Sequence, residues 1–134
     1  AQHRAGQWWM KIDQPLRALP YFHRALELAP GRVDWRRGLV WLLATHPDDT
    51  VRDPARAQPM AEPLAQAGGE SWMNLDVRAA VSAANGNMVE ALDLSRRIDT
   101  NEVPAEFRDR VAQRTDGYRA GKPYLGTRAE YIPE

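Results

Sequence analysis

The residues best suited to chemistry in this 134-residue chain are three histidines, His3, His23 and His46, and a run of aspartates, Asp48, Asp49 and Asp53. The histidines are scattered, with no His-x-x-x-His pair and no carboxylate companion at ligand spacing, so no metal centre is expected from them. His46 stands in Thr45-His46-Pro47-Asp48 and reads as a loop or cap residue. The aspartates resemble a calcium loop only loosely, because the glycine and closing glutamate of an EF-hand are missing. Ser82 and Ser95 lack the Gly-x-Ser-x-Gly setting of a nucleophile elbow. The chain has no cysteine, which excludes disulfides, thiolate catalysis and Cys-ligated zinc. It also has no glycine-rich phosphate loop. The expectation is a non-enzyme, with no catalytic residue, cofactor or metal. A hydrolase working through the aspartate run is the remaining catalytic alternative, and only those carboxylates speak for it.

Formal charge is balanced, with 18 basic and 18 acidic residues. A balanced chain offers no general electrostatic attraction for nucleic acid or an anionic membrane. The longest apolar run, Leu39-Val40-Trp41-Leu42-Leu43-Ala44, falls far short of the roughly 18 residues that a membrane span requires. Processing or an upstream segment would each account for Ala at position 1. A cleaved signal peptide would make the protein extracytoplasmic, and otherwise the expectation is cytoplasmic.

The elements that would position any site are organised around residues 74–94. Ala79, Ala80, Ala83 and Ala84 give one helix a small-residue face, Asn85-Gly86-Asn87 stops it, and Val89, Leu92 and Leu94 begin another. Gly86 supplies the left-handed turn residue, and the small face lets the second helix fold back closely as an αα-hairpin. The same reading along the chain predicts helices over residues 1–12, 15–28, 35–44, 55–67, 72–84, 88–97 and 104–120. Asp13 and Asp34 are expected as N-caps. Pro20 should bend the second helix or delay its start, and Pro59 and Pro63 argue against the fourth. Residues 45–54 read as a loop insertion within the second pair. The last helix is polar, as the end of a stacked array must be. Residues 122–134 read as an extended or disordered tail, or an arm laid on a neighbour, leaving residues 1–121 as the helical domain.

Ala18, Ala57 and Ala91 set in register give separations of 39 and 34 residues. The second matches the tetratricopeptide period, and the first exceeds it by the loop insertion. Ala18-x-x-x-Phe22-x-x-Ala25-x-x-x-x-Pro30 resembles the second half of such a repeat. Gly6 and Ala79 stand twelve residues before Ala18 and Ala91, at the small position of its first helix, and Gly86 matches the turn glycine. Residues 39–53, with their aspartate-rich loop, and Gly121-Lys122-Pro123-Tyr124 resemble a variant found in bacterial multidomain tetratricopeptide proteins. The chain is thus similar to the tetratricopeptide-repeat family over about residues 1–124. Arg36 and Arg78 depart from that pattern where it has large apolar residues, and Ser82 where it has tyrosine. Arg78 and Ser82 should thin the core of the third pair. The resemblance implies an all-α, right-handed superhelical array of about three helix-turn-helix pairs with a C-terminal capping helix.

The resemblance also implies a protein partner, a peptide or helix held on the concave surface of the first helices of each pair. By position that surface includes His3, Gln7 and Met10, then Arg37, Trp41 and Thr45, then Asp76, Ala80 and Ala83. Trp41 is either the anchor for a partner or a packing residue between repeats. The basic-and-Asn clamp with which chaperone-binding members hold a C-terminal carboxylate is not matched. Trp8 and Trp9 point about 100° apart on one helix, so one of them, Trp8 by choice, faces another repeat or protein unless the apolar stripe is wide. The expected role is a non-catalytic interaction scaffold, an accessory subunit or terminal module of a larger assembly. The alternative is an attachment domain of an enzyme whose catalytic part lies outside this chain.

Overall fold

The computed structural model describes residues 1–66, 70–126 and 130–133, and among them every regular element is a helix. In chain order these are α1 (Gln2–Lys11), α2 (Pro15–Leu28), α3 (Val33–Thr45), α4 (Pro54–Gln66), α5 (Trp72–Ala84), α6 (Met88–Arg96) and α7 (Ala105–Arg119). The chain is therefore all-α. Consecutive helices pair as α1 with α2, α3 with α4 and α5 with α6, and the pairs pack side by side through α2–α3, α3–α5, α4–α5 and α6–α7.

Local chemistry explains most boundaries. At the end of α5 the Asn87 N–H donates to Ser82 O (2.8 Å) and the Gly86 N–H to Ala83 O (3.0 Å), with Gly86 at φ +85°. This is the Schellman arrangement that a left-handed residue permits. Asn87 then caps α6, its side-chain oxygen accepting from the Glu90 N–H while its amide donates to the Glu90 carboxylate. Ser71 caps α5 by accepting from the Asn74 N–H. The aspartate caps are different from expectation. Asp13 sits at φ +57° in the turn between α1 and α2, and Gln14 precedes the helix. Asp34 lies inside the first turn of α3, which starts at Val33. There it still favours the helix as a negative charge near the N-terminus.

The interior prolines do not break their helices. Pro20 lies within α2, and Pro59 and Pro63 within α4. All three are exposed, so the carbonyls that they deprive of a partner, those of Leu16, Ala55 and Pro59, can take one from water. That lowers the cost of about 3 kcal/mol that an interior proline carries. The opposite faces of both helices hold Ala18, Phe22, Ala25 and Leu26, and Ala57, Ala61 and Leu64, all buried. Tertiary burial outweighs propensity here.

The core falls into two clusters that meet at α5. Val77, Ala80 and Val81 join the α2–α4 cluster around Leu39, Trp41 and Leu64, whereas Leu75, Ala79 and Ala83 join Ala91, Leu94, Val103, Val111 and Tyr118. A helix covered on two sides leaves none of its residues fully exposed, and small residues let both neighbours approach. That is why α5 reads as an alanine-rich run.

Candidate functional site

A second Schellman turn closes α7, with the Lys122 N–H donating to Gly117 O (2.9 Å), the Gly121 N–H to Tyr118 O (3.0 Å) and Gly121 at φ +74°. Beyond it the chain runs back over its own helices rather than away from them. Its described residues touch all four of α1, α3, α5 and α7. The Gly126 N–H donates to Thr45 O at 3.0 Å on α3. Glu130 reaches Arg110 and Arg114 on α7, Tyr131 reaches Trp41, Trp72 and Asp76 on α3 and α5, and Gln7 on α1 donates through Nε2 to Pro133 O.

A buried ionic network lies at the centre. Arg114 donates from Nη2 to Asp76 Oδ2 (2.7 Å) and from Nε to Oδ1 (3.3 Å), and the Tyr131 hydroxyl donates to the same Oδ2 (2.5 Å). Arg114 also donates from Nη1 to Glu130 (2.9 Å), which accepts from Arg110 Nη1 as well (3.2 Å). Two guanidiniums face two carboxylates, so the network is neutral, and its middle member Arg114 is only 2% exposed. Burial pushes the Asp76 carboxyl up from the ordinary carboxylate range, with Arg114 and Tyr131 pulling against it. Burial works to lower Arg114, but Asp76 and Glu130 outweigh it and the net shift is upward. Burial, then Asp76, also raises the Tyr131 phenol, which stays a neutral donor. Such groups are tolerated in an interior only because each finds its partners.

An aromatic slot adjoins the network. Trp41 meets Tyr131 edge-on at 5.0 Å and Tyr124 at 5.7 Å, and Trp72 meets Tyr131 at 6.1 Å. The Arg114 guanidinium lies 4.7 Å from the Trp41 ring and 5.0 Å from that of Tyr124, within cation–π range. A Cβ on Gly38 would stand 2.7 Å from Tyr131 O and 3.0 Å from Ile132 Cα. The glycine of α3 is what lets the tail backbone come this close.

The residues expected to line a binding surface divide accordingly. Gln7, Trp41, Thr45 and Asp76 all touch the tail. Arg37 lies beside them, donating to Asn74 Oδ1 at 3.1 Å, and its own pKa is lowered by burial. His3 stacks on Trp35 at 4.5 Å near the Pro133 end, and Met10 packs against the main core. Ala80 and Ala83 are elsewhere: both are buried in the core clusters on the two sides of α5, and offer a partner no surface. Trp8 on α1 is 55% exposed, and Ile12 at the end of α1 and Leu16 on α2 are exposed as well, while Trp9 packs against the main core. Trp41 is buried against both the core and the tail, so it packs on two sides. Sequence reasoning missed Gly38, Trp72, Arg110, Arg114, Glu130 and Tyr131. An arginine in the Val111–Tyr118 stripe of α7 and a glycine inside an apolar helix were the available signals.

Other features are modest. Between α6 and α7 a cleft of about 280 Å³ is lined by Arg96, Arg108 and Arg119 over Ile98 and Val111. Arg78 and Ser82 line a polar cleft of about 170 Å³ between α4, α5 and α6, where the third pair's core was expected to be thin. In the aspartate loop, Asp48 accepts from Thr50, and Arg52 donates to His46 O and Pro47 O. These bonds fold the loop on itself. Among the described residues, no group of three His, Asp or Glu side chains is placed to hold a metal ion, and no helix is long and apolar enough to cross a membrane. Comparison with known proteins finds no matching family model, no matching curated protein and no matching solved structure.

Proposed function

We propose that this chain is a non-catalytic protein-interaction module of tetratricopeptide type, a right-handed superhelical array of three helix pairs capped by α7. The first helices of the pairs, together with α7, form a groove that receives a peptide segment. The observation that carries this reading is the tail itself, whose described residues are seated across α1, α3, α5 and α7 by contacts on each. A surface that holds one peptide segment has the shape and the hydrogen-bonding groups to hold another.

A second reading, an attachment domain of a larger assembly or enzyme, draws on the outer edge of the first pair. Trp8 on α1 and Ile12, four residues on at the end of that helix, are both exposed, as is Leu16 at the start of α2. Large apolar side chains grouped on a surface mark contact sites.

Affinity capture with the whole chain tests both readings. Trp8→Ser should remove proteins held by the outer edge, and Tyr131→Ala should change recovery of proteins held by the groove. Recovery unaltered by either substitution overturns the interaction reading.

A further inference from the structure

We propose that the groove is a receptor for an acidic residue followed directly by tyrosine in a turn, the tyrosine in left-handed backbone (φ +65° at Tyr131), and that Glu130-Tyr131 occupies it in cis. A partner segment of the same chemistry then binds only by displacing the tail. This inference rests on the interaction-module reading and names its ligand.

Two side-chain subsites define the recognition. The first is the pair of guanidiniums of Arg110 and Arg114, which take the Glu130 carboxylate between them. With Glu130 withdrawn, two arginines face Asp76 alone, an excess of one positive charge in a low-dielectric site, so the subsite demands an anion. The second is the slot between Trp41 and Trp72, closed at its end by Asp76, which accepts the Tyr131 hydroxyl. Phenylalanine would fill the rings and leave that carboxylate short of a donor, so the subsite selects tyrosine. The two subsites are adjacent because Arg114 belongs to both, bonding Glu130 and Asp76 at once.

The tail is held in a way that permits exchange. Beyond the turn that closes α7, the main-chain bonds of its described residues to the helices are the Gly126 N–H to Thr45 and Pro133 O from Gln7; the remaining hold is through side chains. Among the described residues the buried Trp41 Nε1 has no hydrogen-bond partner, so those of the tail leave a donor unsatisfied, and a segment bringing an acceptor there would gain what they do not. A tether this short sets an effective concentration in the millimolar range. A free segment with the same contacts must overcome that concentration, which is the physical content of the block.

The test uses a fluorescein-labelled peptide of residues 122–134 and the full chain, read by fluorescence anisotropy. The chain carrying Glu130→Ala and Tyr131→Ala keeps every groove residue and should bind the peptide at least tenfold more tightly than the wild type. Peptides with Gln at the Glu130 position or Phe at the Tyr131 position should each lose at least tenfold. Adding Gly38→Ala to the double variant should abolish binding. If the double variant loses its helical circular dichroism, the milder Tyr131→Phe chain carries the comparison, with an expected gain of a few fold. Equal affinity for wild type and variant, or no binding by a folded variant, overturns the proposal. So does a wild-type chain that sediments as a dimer in which the tail is exchanged between copies. Capture of partners sensitive to Tyr131→Ala, with no peptide binding, would leave the module reading intact and reject only this ligand.

Discussion

The Tyr131 hydroxyl lies 2.5 Å from Asp76 Oδ2, across 55 residues of sequence. That contact ties the end of the chain to the centre of α5, the helix shared by both core clusters. Tyr131→Phe keeps the ring contacts with Trp41 and Trp72 and removes only the donor. A hydrogen bond to a charged group contributes about 2 kcal/mol. The expected outcome is a loss of up to that size in urea unfolding, together with faster proteolysis of the tail.

Asp76 itself should matter more. Asp76→Ala leaves Arg114 buried with Glu130 as its remaining carboxylate, and breaking a buried pair from one side costs about 3–5 kcal/mol. The surface pair Arg24–Glu27, 3.1 Å apart and well exposed, is the control. Arg24→Ala should stay within about 0.5 kcal/mol. Chemical denaturation of the two variants side by side checks the contrast, and equal effects would mean that the network does not stabilise the fold.

Mild acid should weaken the fold through its histidines. His3, His23 and His46 are all lowered by burial. Asp34 pulls His3 upward, while Arg32 and the N-terminus push it down. Arg56 lowers His23 against Glu27 and Asp53, and Asp48 and Asp13 raise His46 against Arg52. The folded values lie below the unfolded value of about 6.5, so below that pH the unfolded chain takes up protons that the native chain refuses. Stability is therefore complete above about pH 6.5 and falls as pH drops from there towards the folded values. The urea midpoint should decline between neutral pH and mildly acidic pH. His3→Phe, which retains a ring to stack on Trp35, should flatten part of that slope.

What was legible in the sequence was local. Asn85-Gly86-Asn87 announced its own turn, and the apolar spacing of Ala18, Phe22 and Ala25 announced the buried stripe of α2. The prolines of α2 and α4 misled because propensity counts a missing N–H without knowing whether water can reach the carbonyl it frees. The tail was opaque for a different reason. Glu130 and Tyr131 meet Arg114 and Asp76, and no period along the chain links positions 16 and 55 residues apart. Position along the repeat put Asp76 and Trp41 on one expected surface, yet position alone could not show that residues 130–133 would lie against them.

Two helix-interior glycines give opposed forecasts. Alanine at either gains about 1 kcal/mol of helix propensity over glycine, so the sign of each substitution is set by what the new methyl meets. On Gly6 of α1 a Cβ would lie 2.6 Å from the Phe22 ring. That ring is buried between α1 and α2 and cannot swing away, so overpacking of about 1–3 kcal/mol outweighs the gain. Gly6→Ala should lower the thermal midpoint of the whole domain. On Gly38 of α3 the Cβ would strike backbone atoms of the tail, 2.7 Å from Tyr131 O, and the tail is the part that can leave. Gly38→Ala should release it, increasing Trp41 exposure to an aqueous fluorescence quencher, while the helical circular dichroism is retained and the melting midpoint falls only by the contribution of the tail contacts, Tyr131–Asp76 and Glu130–Arg114. A global loss of helix in Gly38→Ala, matching that of Gly6→Ala, would mean that the tail is a structural member of the core and cannot exchange.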